Sequence, residues 1–266
     1  MNSEASPIPL WLHGFIHKRP WACARDGEIA ANHSVAEAEQ VFFDVGKRWR
    51  KMGLHTYPSP TVNVHLFDTG IMMHWAISKN PETTVSYARA ITRGLIRAKC
   101  GTMAQHFPAH GASELDSHRG VPVVELDLET LMRDHFPPYI ASFEEGCTTI
   151  CTAHLKCPAI DPDENNIATT SRAILTDFLR GQLGFKGIAI ADEINMDGFR
   201  SQGDQGENTV KAVMAGCDSI CILQGELAEY VYKALVAATQ DGRLTTERLD
   251  EAVLRNLAFK RWLGIL

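Results

Sequence analysis

The sequence predicts an α/β fold of the (β/α)8-type TIM barrel kind, a single domain over residues 1–266 that is short of about one strand and one helix at its amino-terminal end. Two observations lead there. Strand-like and helix-like segments alternate along the chain without an obvious linker, and polar residues recur where the strands end. Repeated strand-then-helix units imply parallel strands joined by right-handed crossovers. A doubly wound sheet satisfies the same alternation, so the position of the polar residues has to separate the two.

In chain order, residues 35–52 (VAEAEQVFFDVGKRWRKM) carry apolar positions at helical spacing, and Gly53 supplies a stop before the strand-like TYPSPTVNV. Residues 81–99 read as a second helix with Pro81 near its start. The strand GTMAQHF follows, then a helix at 127–145, the strand TTICTAHL, the helix SRAILTDFLRGQL and the strand GIAIADE. The last units are a helix near 207–215, the strand CDSICIL, a helix near 225–240 and an amphipathic helix over 245–262.

Four strand ends carry polar side chains: Asn63 and His65 after SPTV, Gln105 and His106 after GTMA, His154 after TICTA, and Asp192 with Glu193 after GIAIA. Barrels gather their chemistry at the carboxyl ends of several strands. No glycine-rich phosphate loop of the Rossmann or P-loop type follows any of these strands, which argues against a nucleotide-binding doubly wound sheet. Neighbouring side chains on a strand point to opposite faces, so Asp192 and Glu193 cannot both aim at one ligand.

Composition bounds the function. With 266 residues, 45% hydrophobic and 22% charged, the chain can bury a large core. A net charge of -6 and the lack of any basic run exclude a general attraction to nucleic acid or acidic membranes, and a small neutral or polar ligand fits better. The opening MNSEASPIPLWLHGF lacks the features of a signal peptide, and no apolar stretch approaches the roughly 20 residues of a membrane span, so the expected location is the cytoplasm. The seven cysteines form an odd set in apolar surroundings, as expected of reduced thiols. Cys147, Cys151 and Cys157 near His154 invite a zinc reading, but their spacing fits no strong metal pattern, so structural cysteines, no metal and no cofactor are expected.

The segment AQHFPAHGASELDSHRGVPVVELD resembles a loop of the family 3 glycoside hydrolases, in particular their β-N-acetylglucosaminidase branch. That branch usually shows Lys-His-Phe-Pro-Gly-His-Gly followed, at this spacing, by Asp-Ser-His. CTAHLKCPAIDPDENNIATTSRAILTDFLRGQLGFKGIAIADEINMDGF resembles the family's later strands, and AVMAGCDSICIL with ERLDEAVLRNLAFKRWLGIL its last strand and helix. The resemblance runs from about residue 54 to the end and is weak over the first 50 residues.

The resemblance implies roles. Asp192 takes the place of the nucleophile, which would form a covalent glycosyl-enzyme with net retention. His118 would be the acid/base, oriented and made more basic by Asp116. His106 and His110 would shape the sugar site or brace the loop, and Gln105, Asn63, His74, His154 and Met196 fall at the remaining substrate-binding positions. The sugar-binding shell departs from the pattern: Gln105 stands for the family Lys, Ala109 for Gly, Asn63 for Asp and His74 for Arg, and the early Asp-Glu-Glu-Gly-Gly segment has no clear counterpart in IPLWLHGFIHKRP. Gln and His cannot reproduce the charge-assisted bonds of Lys and Arg. The implied substrate is a small-molecule β-linked amino sugar or related glycoside, cleaved by hydrolysis or by transfer to phosphate. A non-hydrolytic descendant using the same Asp/His pair, or a catalytically silent carbohydrate-binding protein, are the alternatives. An incomplete barrel exposes a strand edge, so a homodimer burying apolar surface near residues 7–24 is expected, unless PLWLHGF supplies a first strand.

Overall fold

The computed structural model describes residues 25–68 and 75–266. Helices α1 (Asp26–Asn32) and α2 (Val35–Lys51) lead into strand β1 (Thr56–Tyr57), followed by α3 (Pro81–Arg97), β2 (Gly101–Phe107), α4 (Pro137–Glu144) and β3 (Thr149–Thr152). Then come α5 (Ala173–Gln182), wound with π-type bonds, β4 (Ile188–Ala191), α6 (Asp197–Arg200), α7 (Gln205–Ala215), β5 (Ser219–Ile220), α8 (Gly225–Gln240) and α9 (Thr246–Leu263). All five strands run parallel in the order β1-β2-β3-β4-β5, so each neighbour in space is the next strand in sequence. This is the arrangement of successive βα units, a curled parallel half-barrel. The described residues do not close it into eight strands. The segment 7–24, expected at a dimer interface or as a first strand, and His74 lie outside the described residues. No helix among the described residues is long and apolar enough to cross a membrane.

Local chemistry sets the helix starts. Ser34 accepts from the Glu37 N–H while the Glu37 carboxylate takes the Ser34 N–H at 2.8 Å, a capping box at the head of α2. Asn80 caps α3 through the Thr83 N–H at 2.8 Å, and Pro81 fills the first turn, where no N–H is needed. Gly94 lets α2 and α3 approach closely: a Cβ there would lie 2.3 Å from the Glu39 carbonyl oxygen. The strand-like TYPSPTVNV keeps a regular ladder only to Tyr57, because Pro58 and Pro60 have no N–H to give. Pairing with β2 nevertheless continues through Met103 N–H to the Ser59 carbonyl (2.9 Å), Gln105 N–H to the Pro60 carbonyl (3.1 Å) and Val62 N–H to the Gln105 carbonyl (3.1 Å).

The core is aromatic where it supports the strand ends. Phe107, at the end of β2, packs edge-on against Tyr139 of α4 (5.3 Å between centroids), and Phe136 packs on Phe178 of α5 at 4.9 Å. All four are essentially inaccessible, and each contributes about 1.5–3 kcal/mol from burial. At the opposite end of the sheet, just before β5, the inaccessible Asp218 carboxylate accepts from Arg180 (2.6 Å), Arg248 (2.9 Å), Arg255 (2.8 Å) and the Ala189 N–H (3.0 Å). Three guanidinium groups compensate its desolvation and join α5 and α9 to β4 and β5. Polar groups at this amino end of the strands hold the fold together.

Asp26 at the start of α1 is also buried, and its carboxylate accepts from Ser59 Oγ (2.7 Å) and the Thr61 N–H (2.5 Å). Burial pushes its pKa from 3.8 up to about 6, against the lowering effect of these bonds. The folded protein therefore holds a proton that the unfolded chain has released between pH 4 and 6. The resulting stabilisation is full below the unfolded value and is lost as pH rises through about 6. At 1.36 kcal/mol per pKa unit it amounts to about 3 kcal/mol. Denaturant melts between pH 4 and 7 should show this loss, and Asp26→Asn should flatten that part of the profile; an unchanged profile in the variant would rule out Asp26 as its source.

Candidate active site

β4 delivers Asp192 to its carboxyl end, one residue past Ala191. The ladder places Phe107 opposite Thr152, and Thr152 opposite Ala191, so the ends of β2, β3 and β4 lie side by side. Adjacent strands are about 4.8 Å apart, which brings His106, Cys151, His154 and Asp192 into one cluster. The Asp192 side chain keeps 21% of its surface accessible. Its Oδ1 accepts the Glu193 N–H at 2.8 Å, and its Oδ2 lies 3.6 Å from His106 Nε2, longer than a hydrogen bond. Burial works against its ionisation, but His106, His154, the Glu193 N–H and His118 outweigh it and hold the carboxyl below the ordinary carboxylate range. Asp192 is therefore an anion at neutral pH. Glu193 turns away, taking the Asn195 N–H at 3.0 Å, and burial raises its pKa.

Two side chains brace the residues beside this anion. Asn63 is buried, and its amide clamps the backbone of His106 from both sides, accepting the His106 N–H at 2.6 Å and donating to its carbonyl at 3.0 Å. The Asn63 amide nitrogen also reaches the Tyr139 hydroxyl at 3.0 Å. A position that the resemblance assigns to the sugar thus has both ends of its side chain engaged in protein. His154 is inaccessible and uses both ring nitrogens, Nε2 on the Glu193 carbonyl (3.2 Å) and Nδ1 on Thr169 Oγ1 (2.9 Å). A carbonyl can only accept, so Nε2 carries a proton, and burial lowers the ring's pKa against the pull of Asp192. Gln105 donates its amide N–H to the Pro58 carbonyl at 3.0 Å, along the β1 side.

Asp116 and His118 sit on the loop after β2. The Asp116 Oδ1 accepts the His118 ring Nδ1–H at 2.7 Å and its backbone N–H at 2.9 Å, which leaves Nε2 as the outward nitrogen of a ring 40% accessible. The Asp116 bond raises the His118 pKa against burial; burial tends to raise that of Asp116, but the His118 bonds outweigh it. The negative charges of Asp192 and Glu193 also raise the His118 pKa, so the ring lies within electrostatic reach of both carboxylates. The loop is tied down on two sides. Ser117 Oγ meets His110 Nε2 at 3.0 Å, and the Ser117 carbonyl accepts the Gly198 N–H at 2.9 Å. Burial lowers the His110 pKa to about 4, so that ring is a neutral brace. Gly198 permits the contact, since a Cβ there would stand 2.8 Å from the His154 carbonyl oxygen and 3.0 Å from that of Gly120. Met196 is buried at the head of α6, where its carbonyl accepts the Phe199 and Arg200 N–H groups.

Three contributors were not singled out as site residues in the sequence. Thr169 fixes His154 from 15 residues away, and Ser117 joins the loop to His110. Cys151 lies with His106 and Asp192, whereas Cys147, just ahead of β3, bonds the Thr149 carbonyl. The Asp-Ser-His triplet held the Ser117 signal; nothing local marked Thr169.

A carboxylate and imidazoles at the carboxyl ends of parallel strands define the site type of barrel enzymes. The glycosyl hydrolase family 3 N terminal domain matches residues 25–258, and the chain belongs to that family. A β-hexosaminidase of Chromobacterium violaceum is 26% identical over 242 residues, covering 90% of this chain and 67% of its own length. A β-hexosaminidase of Pseudomonas aeruginosa is 30% identical over 191 residues, 71% of this chain and 56% of its own. Among solved structures, the family 3 β-N-acetylglucosaminidase of Paenibacillus sp. str. FPU-7 superimposes with a TM-score of 0.87 at 27% identity, covering 90% of this chain and 46% of that enzyme. The β-glucoside phosphorylase BglX gives 0.85 at 25%, covering 91% and 44%. The chain thus spans about half to two thirds of these relatives.

Replacing Asp116 by Asn removes the anion that the imidazolium leans on. NMR titration of the His118 ring should then show its pKa shifted down relative to wild type, and an unmoved titration would mean that Asp116 does not tune it.

Proposed function

We propose that the protein is a retaining glycosidase or glycoside phosphorylase acting on a small β-linked amino sugar or related glycoside. The observation that carries this is an ionised, partly accessible Asp192 within electrostatic reach of the hydrogen-bonded Asp116–His118 dyad. Asp192 attacks the anomeric carbon while the His118 Nε2–H protonates the leaving oxygen, so the first step makes the glycosyl-enzyme and a neutral alcohol. His118, now neutral, takes a proton from the incoming water as it attacks the anomeric carbon and releases Asp192. Asp116 keeps the imidazole in one tautomer and stabilises its charged form. In this reading His106, Gln105 and Met196 contribute to the sugar site, His110 braces the loop beside it, and Asn63 and His154 position His106 and Asp192.

Phosphate as acceptor is the second reading, favoured by an imidazole acid/base: once deprotonated it carries no charge to repel the incoming anion, as a carboxylate would. The phosphorylase relative supports it. A non-hydrolytic reaction with the same pair, or sugar binding alone, would follow if the altered shell at Gln105 and Asn63 no longer seats a glycoside. We also propose a cytoplasmic homodimer.

Chromogenic β-glycosides assayed with and without phosphate should reveal turnover and its acceptor. Asp192→Asn should nearly abolish it with the fold intact. His118→Ala should slow poor leaving groups by about 10²–10⁴-fold while sparing activated phenols, which need little protonation. Asp116→Ala should do the same more weakly. Equal losses on both kinds of leaving group would contradict the acid/base role of His118.

A further inference from the structure

We propose that His106, Cys151 and Asp192 form a three-donor site for a single borderline-soft divalent cation of the Zn²⁺ type. The three residues come from three adjacent strands, and one donor atom from each lies within 4.8 Å of the others. An imidazole, a thiolate and a carboxylate are the donors zinc takes, and three protein ligands with a fourth, open position is the arrangement of exchangeable sites. With metal bonds of about 2.0–2.3 Å, tetrahedral ligand atoms stand roughly 3.3–3.6 Å apart. His106 Nε2 and Asp192 Oδ2, at 3.6 Å, already meet that spacing, so Cys151 needs a shift of about an ångström.

Outside the trio the donors are weakly held, and the Cys151 thiol's interaction with Asp192 is one that a shared metal would replace. The contact of Cys151 Sγ with the Thr152 carbonyl is 4.0 Å, too long to hold the thiol strongly. Asp192 Oδ1 is occupied by the Glu193 N–H, which leaves Oδ2 to a metal. The cysteine–histidine cluster that the sequence spacing suggests does not form this site: His154 has both nitrogens engaged, and Cys147 Sγ bonds the Thr149 carbonyl at 3.2 Å. Asn63 fixes the backbone of His106, so one donor is held in advance. Binding replaces the thiol proton, released to solvent, by the metal–sulfur bond.

The site stands on geometry and does not require the glycosidase reading. If that reading holds, ion and sugar compete for one carboxylate, and Zn²⁺ inhibits. Titrating the metal-free protein with Co²⁺ should produce a thiolate-to-cobalt charge-transfer band in the near ultraviolet that saturates at one equivalent and is displaced by Zn²⁺. Cys151→Ser should abolish the band, the isosteric Asp192→Asn and His106→Gln should each weaken Co²⁺ binding at least tenfold, and Cys157→Ser should leave it unchanged. No band in the wild type, a band surviving in Cys151→Ser, or unaltered affinity in Asp192→Asn would overturn the proposal. The readout is spectroscopic, so it decides the site even if no glycoside is turned over.

Discussion

Keeping the Asp192 carboxylate charged at the mostly buried end of β4 is the constraint that the surrounding structure meets. An isolated ionised group taken from water into such a place costs several kcal/mol, and the usual response is to take up a proton. Here imidazoles and a main-chain N–H reverse that direction. Their positions then matter, and most other polar groups nearby are committed to fixing them: Asn63 to the backbone of His106, Thr169 to His154, Ser117 to His110 and to Gly198. The aromatic layer of Phe107, Phe136, Tyr139 and Phe178 supports this arrangement from below, and the Tyr139 hydroxyl is the point where core and site meet.

The two ends of the sheet handle buried acids differently. Asp218 at the amino end is surrounded by three arginines and has no accessible side-chain surface, so its charge is compensated and closed off. Asp192 at the carboxyl end has neutralisable imidazoles and an open side. A carboxylate locked by arginines can hold helices together but can neither attack nor bind. One faced by imidazoles keeps a reactive oxygen, and the same openness that suits a nucleophile suits a metal ion.

Much of this was legible in the sequence, for definite reasons. The helices over 35–52, 81–99 and 245–262 formed within a few residues of the expected limits because apolar spacing and caps such as Ser34 and Asn80 act locally. GTMAQHF is β2 to the residue. The expected (β/α)8-type barrel, short of about one strand and one helix at its amino-terminal end, is present in the described residues as five curled parallel strands, because strand alternation gives parallel pairing but not the number of units that close. At the site, Asp192, His106, Asp116 and His118 were marked by their position after strands and in the Asp-Ser-His loop. The engagement of Asn63 with His106 and Tyr139 was hidden, since it depends on a cross-strand approach that no local pattern encodes. For the same reason the cysteine spacing pointed along one strand, whereas Cys151 joins residues of its two neighbours.

The central claim is that Asp192 is the atom-bearing nucleophile of a two-step displacement. It is tested most directly by incubating the protein with a 2-fluoro glycoside carrying a good leaving group, whose fluorine slows breakdown of the intermediate, and mapping the product by peptide mass spectrometry. One sugar attached to the peptide containing Asp192, absent in Asp192→Asn, is the predicted result. Turnover of the parent glycoside that persists in Asp192→Asn, or a label carried by another carboxylate such as Glu193, would contradict the account.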